Sequence, residues 1–221
     1  MRATVLLADD HILFTDGLQR LIATKYEVIG AVTNGRELFD LAKERKPDVI
    51  ISDLSMPILN GLDALRMLRS ARIRSKVIIL TMHSDISIVV ESFRAGASAY
   101  VVKEATTADI NNALDTVLRG RVYLSPTLPT DIITVLAEAA RNPLPAEEGM
   151  KLTRRQREVL QLVAEGKTMK EVGVILGIST RTSESYKYEL MHSLGIRSNA
   201  ELVQYAIRIG IITVQPLRTA A

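Results

Sequence analysis

Residues 49–61 read VIISDLSMPILNG. Three branched apolar residues and a serine run straight into Asp53, and a loop containing Met56-Pro57 then carries the chain to Gly61. A short apolar run of this kind is the signature of a strand buried on both faces. Three other runs have the same form. Thr4–Ala8 leads into Asp9-Asp10, residues 77–80 lead into Thr81, and Ala99–Val102 stops just before Lys103. In an open parallel sheet, ligands bind outside the carboxyl ends of the strands. One fold therefore gathers three carboxylates, a hydroxyl and an ammonium at a single edge.

The intervening segments of residues 1–120 are amphipathic. Helices are expected over 11–24, 36–45, 62–70, 84–94 and 107–119, with a further strand over 26–31. In the first, Ile12, Leu13, Leu18, Leu21 and Ile22 form a helical stripe, and in the fourth Ile86, Val89, Val90 and Phe93 share a face. Five strand–helix pairs predict an α/β fold, a doubly wound five-stranded parallel sheet covered on both faces. Residues 121–150 are broken by Pro126, Pro129, Pro143 and Pro145. They read as a linker with one short helix over 130–140 and a flexible stretch over 141–150. Residues 151–215 form a small all-α, four-helix domain. A short helix, Met169–Leu176, the turn Gly177-Ile178-Ser179 and a longer helix, Thr180–Leu194, make a helix-turn-helix. Thr153, Ser179 and Ser198 are placed to cap the helices that follow them.

Composition narrows the function. The 221 residues include no cysteine, which excludes disulfides and thiolate metal sites and suits a reducing cytoplasm. Residues 1–8 faintly resemble a secretion signal, but Asp9-Asp10 interrupts the apolar stretch. No run has the length of a membrane span, so a cytoplasmic protein without a membrane partner is expected. Residues 1–120 carry 15 Lys and Arg against 15 Asp and Glu, residues 121–150 carry 2 against 4, and residues 151–221 carry 11 against 6. The basic C-terminal third is either a nucleic-acid-binding module or a solvated basic surface.

The strand-end residues suit a divalent cation and a phosphoryl group. Clustered carboxylates raise one another's pKa unless a cation intervenes. Hard oxygen ligands favour Mg²⁺, with Asp10 and Asp53 as direct ligands, Asp9 acting through water and the Ser55 carbonyl completing the set. Asp53 is the candidate nucleophile, because aspartyl phosphates are established covalent intermediates and the loop over residues 55–61 leaves room for in-line attack. Lys103 would neutralise one phosphoryl oxygen and Thr81 would donate to another. His11 and His83 read as rim residues rather than ligands or phosphate acceptors. Taken singly, each Asp is an ordinary turn residue or helix cap and Lys103 a solvated charge. Five such residues at matching strand ends argue otherwise.

Asp9-Asp10, Asp53 with Met56-Pro57 and Gly61, Thr81, Tyr100 and Lys103 together resemble the receiver domain of a two-component response regulator. The resemblance implies a flavodoxin-like fold and phosphoryl transfer from a sensor histidine kinase to Asp53. It also implies a switch in which Thr81 moves toward the phosphoryl group and Tyr100 rotates inward. Residues 151–210 resemble the LuxR-type DNA-binding domain through Leu152-Thr153, Arg155, Arg157-Glu158-Val159-Leu160, Gly166, Lys170-Glu171-Val172, Ile178-Ser179, Leu194-Gly195 and Glu201-Leu202-Val203. Together the two point to the NarL/FixJ class of response regulators. In that class the third helix enters the major groove of promoter DNA, and the chain pairs as a homodimer on phosphorylation or DNA binding. RNA polymerase is admitted as a further partner.

On that pattern Thr180, Arg181, Glu184, Ser185, Lys187 and Tyr188 face outward from the recognition helix, with Lys170 beside them. Lys170, Arg181 and Lys187 suit phosphates, and Glu184, Ser185 and Tyr188 suit base edges; Glu184 is equally well a surface charge that touches nothing. Val203 and Ile207 are either a dimer surface or core. The chain departs from the family at Gln156, Gly173, Ser183, Tyr186 and Ser193, and Gly173 is expected to weaken its helix by ~1 kcal/mol relative to Ala. Two other functions compete. One is a protein-interaction regulator with weakened DNA binding, which Ser183 and Ser193 favour. The other is an aspartyl-phosphate phosphotransferase or hydrolase. Such enzymes commonly carry a second acid/base carboxylate two positions after the nucleophile, where this chain has Ser55. The expectation is therefore of no enzyme, beyond slow autodephosphorylation at most.

Overall fold

The computed structural model describes residues 2–141 and 152–212. The chain divides into two compact units, 1–144 and 145–221. In the first, strands β1 (Thr4–Ala8), β2 (Glu27–Val32), β3 (Val49–Ser52), β4 (Lys76–Thr81), β5 (Ala99–Val102) and β6 (Tyr123–Leu124) alternate with helices. Those helices are α1 (Ile12–Ile22), α2 (Gly35–Arg45), α3 (Gly61–Ser70), α4 (Ile86–Arg94) and α5 (Thr107–Leu118). All strands are parallel, in the order β2-β1-β3-β4-β5-β6. The order of the first five is that of flavodoxin-like sheets, with the crevice where the order reverses, between β1 and β3.

Alternate residues of each strand enter opposite cores. Leu6, Ile50, Val77, Ile79 and Tyr100 pack on one face, and Val5, Leu7, Val49, Ile51, Ile78, Leu80 and Val101 on the other. Burial on both faces is why the strands read as unbroken apolar runs. Register then decides what meets at the carboxyl edge. Ala8 pairs with Ser52, and Thr81 with Val102. The Asp53 amide donates to the Ala8 carbonyl at 2.8 Å, and the Lys103 amide to the Thr81 carbonyl at 2.8 Å.

The expected five strands gain a sixth. Tyr123–Leu124 adds to the edge beside β5, and helix α6 (Ile132–Arg141) packs against α4. Leu128 and Ile132 are buried in the same cluster as Leu38 and Tyr100. The first half of the segment expected as linker thus belongs to the first unit's core. Residues 142–150, nearly all of the stretch expected to be flexible, lie outside the described residues.

The second unit holds α7 (Arg154–Ala164), α8 (Met169–Leu176), α9 (Thr180–Leu194) and α10 (Asn199–Arg208). The expected caps form: Thr153, Ser179 and Ser198 accept from the amides of Gln156, Thr182 and Glu201. Thr168 adds a capping box with Glu171. Gly177 and Gly195 end α8 and α9 in the left-handed conformation. Among the described residues no helix is long and apolar enough to cross a membrane.

Two glycines permit backbone approaches that a side chain would block. A Cβ at Gly61 would lie 1.9 Å from the Asp53 carbonyl oxygen, and one at Gly173 would lie 2.9 Å from the Ile178 carbonyl oxygen. Gly173 thus lets the helix-turn-helix turn close over α8, which accounts for a residue that is unfavourable by helix propensity. Gly61→Ala is expected to destabilise the first unit by about 2 kcal/mol or more, read as a lower urea midpoint.

Candidate functional site

The five strand-end residues converge, and Lys103 lies among them. Its Nζ is 2.7 Å from Asp9 Oδ2 and 2.7 Å from Asp53 Oδ2, with all three side chains buried. The ammonium also sits 4.9 Å from the centre of the Phe14 ring, a cation–π contact. The other Asp53 oxygen accepts from the Leu54 amide at 2.6 Å and the Ser55 amide at 3.3 Å, so the loop over residues 54–60 orients the carboxylate. Thr81 is buried, and its hydroxyl oxygen has no hydrogen-bond partner.

Burial works against the Lys103 ammonium, but Asp53 and Asp9 outweigh it, and its pKa is raised. Asp10 is held above the ordinary carboxylate range. Burial is the main cause, Asp9 and Asp53 add to it, and His11 opposes it. Asp10 Oδ1 is buried and makes no hydrogen bond. A carboxylate pushed up by burial and by two neighbouring carboxylates, with only a half-exposed imidazole to offset them, is the environment that a divalent cation relieves. One ligand atom from each of Asp9, Asp10, His11 and Asp53 lies within 4.8 Å of the rest, so the pocket is compatible with such an ion.

Both histidines expected at the rim are solvent-accessible and touch residues of the site. His11 Nδ1 is 3.1 Å from Asp9 Oδ1 and 3.0 Å from Asp10 Oδ1. His83 Nε2 lies 3.1 Å from the Ser55 hydroxyl. The Tyr100 hydroxyl donates to the His83 carbonyl at 2.9 Å, and Tyr100 is wholly buried. A chain of contacts therefore runs from the loop after Asp53 through the β4–α4 loop to β5. Sequence spacing gave no sign of the Ser55–His83 contact, because the two residues lie on different strand-end loops.

In the second unit, Lys170, Thr180, Arg181, Glu184, Ser185 and Tyr188 are exposed and Lys187 is half-buried. Tyr188 stacks on His192 with ring centres 6.3 Å apart. Ser183 and Leu190 are wholly buried. The Ser183 hydroxyl lies 2.7 Å from both the Met169 and Thr180 carbonyls, so a polar residue at a core position is satisfied there. Gln156, despite its amide, still completes the capping box with Thr153. Arg155 ties helices together, reaching Glu158 at 2.7 Å and the Leu176 carbonyl at the end of α8 at 3.2 Å.

Residues 5–115 match the response regulator receiver domain, and residues 150–206 match the bacterial regulatory proteins of the luxR family. The chain is 32% identical over 213 residues to the transcriptional regulatory protein YdfI of Bacillus subtilis, covering 95% of this chain and 98% of that one. It is 31% identical over 211 residues to the transcriptional regulatory protein MctR of Rhizobium johnstonii, covering 95% of each. A LuxR-family two-component response regulator from Aurantimonas superposes with a TM-score of 0.57 at 32% identity, over 64% of this chain and 100% of that one. The chain belongs to the LuxR-type response regulators. This response regulator therefore joins a receiver domain to a DNA-binding domain and acts in transcription regulation; its family is not one of typical enzymes.

The raised Asp10 pKa makes a signed prediction for the response regulator. An acid whose folded pKa exceeds its unfolded value favours folding below the unfolded pKa, and that benefit is lost as pH rises through the folded pKa. In metal-free buffer Asp10→Asn should raise the urea midpoint at pH 7, and the gain should vanish below about pH 4, near the ordinary Asp value.

Proposed function

We propose that Asp53 accepts a phosphoryl group from the phosphohistidine of a sensor histidine kinase, in a Mg²⁺-dependent reaction that controls promoter binding. The observation that carries this reading is the Lys103 ammonium, 2.7 Å from both Asp9 and Asp53, with the Thr81 hydroxyl at the neighbouring strand end left without a hydrogen-bond partner. These groups complement an incoming phosphoryl group. An Asp53 oxygen forms the new P–O bond while the P–N bond to the donor imidazole breaks, and the departing ring nitrogen takes a proton from solvent. Lys103 follows one phosphoryl oxygen as charge moves from Asp53 to the phosphoryl group, and the Thr81 hydroxyl donates to another. Asp10, Asp53 and the Ser55 carbonyl would hold Mg²⁺ directly, and Asp9 through water. Bound there, the ion supplies positive charge to the phosphoryl oxygens.

The readout would run through the Ser55–His83–Tyr100 contacts. A phosphoryl group brings about 1.5–2 negative charges and new acceptors, enough to draw Thr81 and re-set the β4–α4 loop whose His83 carbonyl holds Tyr100. The output is pairing of two chains on a two-fold promoter site, with Thr180–Leu194 as the recognition helix. One structural neighbour, RcsB, at 23% identity, is described as two dimers bound to two parallel DNAs. Arg181 and Lys170 are assigned to phosphates. Glu184, Ser185 and Tyr188, all exposed, are assigned to base edges.

Asp53→Asn should abolish labelling by acetyl phosphate. Undiminished labelling of that variant would refute the assignment of the acceptor. Arg181→Ala should weaken binding to all duplexes alike and flatten the slope of log affinity against log salt by about 0.9, measured by fluorescence anisotropy. An unchanged slope would remove Arg181 from the phosphate contacts.

A further inference from the structure

The opposite end of the sheet carries a charge cluster of its own. A cavity of about 640 Å³ opens at the amino edge, between the loops that lead into β3 and β4. Lys43, Lys46, Arg72, Arg74 and Lys76 line it together with Asp48. Among the described residues, none of the five cations makes an ion pair or a side-chain hydrogen bond. The Asp48 carboxylate is turned to β1, where Oδ2 accepts from the Thr4 amide at 2.8 Å and the Thr4 hydroxyl at 2.9 Å. Basic residues at helix C-termini are ordinary, and α2 and α3 both end here. That accounts for Lys43 and Lys46, but not for Arg74 and Lys76, which belong to no helix. Asp48 and about half a negative charge at each helix end leave about three positive charges unmatched.

The cavity is held in shape by its own backbone. Ser75 Oγ donates to the Pro47 carbonyl at 2.6 Å and the Lys76 amide to the Asp48 carbonyl at 2.9 Å, so the two loops are bound to each other. Arg69 Nη1 donates to the Ile73 carbonyl at 2.8 Å and the Ser75 carbonyl at 3.0 Å, which takes up acceptors of the second loop. Lys46 and Arg72 adopt φ of 49° and 57°, the left-handed conformation that helix ends ordinarily give to glycine. Among the described residues the remaining non-glycine of this kind is Ile58, in the loop after Asp53. Cations therefore occupy two positions where a side chain costs backbone strain, a pattern that marks ligand-binding loops.

We propose that this cavity binds a nucleoside triphosphate. Its volume is that of a small-molecule site, and its unmatched charge suits a compact polyanion better than a single phosphate. Arg72 and Arg74 offer planar forks for two-point phosphate contacts, and Lys46 and Lys76 offer point charges. Pro47, Ile73 and Leu118 supply the apolar part of the lining, the surface for the base and ribose. The four residues of β3 separate this cavity from Asp53. The receiver would thus take a small-molecule input at one end of that strand, independently of phosphoryl transfer at the other.

The test is calorimetry on the full-length protein in Mg²⁺-free buffer at about 150 mM salt, with ATP, GTP, inorganic triphosphate and the two free nucleosides as probes. The expected result is one saturable site for ATP or GTP, triphosphate binding weaker by about tenfold or more, and no binding of the nucleosides. Nucleotide affinity should fall by about tenfold or more in both Arg72→Gly and Arg74→Gln. Arg72→Gly separates a binding defect from a folding defect. Glycine relieves the left-handed backbone, so the urea midpoint should rise while nucleotide affinity falls. Failure of both nucleotides to bind, or binding that survives both substitutions, would overturn the site. Triphosphate binding as tight as that of the nucleotides would overturn the assignment of a nucleoside.

Discussion

A single ammonium buried between two carboxylates organises the acidic edge of this protein. Lys103 reaches Asp9 and Asp53 at equal distance, and none of the three could be buried alone, because an unpaired interior charge costs several kcal/mol. Three carboxylates against one ammonium leave about two negative charges, which is what a divalent cation offsets. In the proposed phosphoryl transfer the same ammonium would remain available to the phosphoryl group on Asp53. Parallel register makes this possible: pairing of Ala8 with Ser52 and of Thr81 with Val102 sets the residues that follow the strands side by side.

Both functional elements also depend on a missing side chain. Gly61 lets the loop close against the Asp53 carbonyl, and Gly173 lets the turn before the recognition helix close against α8. In each case the steric demand is made by a backbone carbonyl, which cannot move aside as a flexible side chain can. At Gly61 the close approach positions a carboxylate. At Gly173 it positions a helix, and Arg155 secures the same junction by reaching the Leu176 carbonyl.

Legibility in the sequence followed the range of the interaction. Strand ends, helix starts and the helix-turn-helix were readable because apolar periodicity and capping residues act over a few positions. Thr153, Ser179 and Ser198 each cap the helix expected of them. The sixth strand was not readable. Two residues, Tyr123 and Leu124, carry no periodicity, and they become a strand only because β5 offers an unpaired edge. Leu128 and Ile132 read as part of a proline-broken linker, yet they are core residues because α4 and β5 leave an apolar surface beside them.

The same division holds at the site. Which chemical groups stand at the carboxyl edge was determined by the sequence alone, since each follows an apolar run whose direction and burial are local properties. What those groups touch was decided by tertiary structure. The Ser55–His83 contact, the turn of His11 onto Asp9 and Asp10, and the unbonded hydroxyl of Thr81 all arise between loops or in a shared interior. Hydrogen bonds and desolvation act through space. A chain of residues specifies them only after the sheet has set its strands in register.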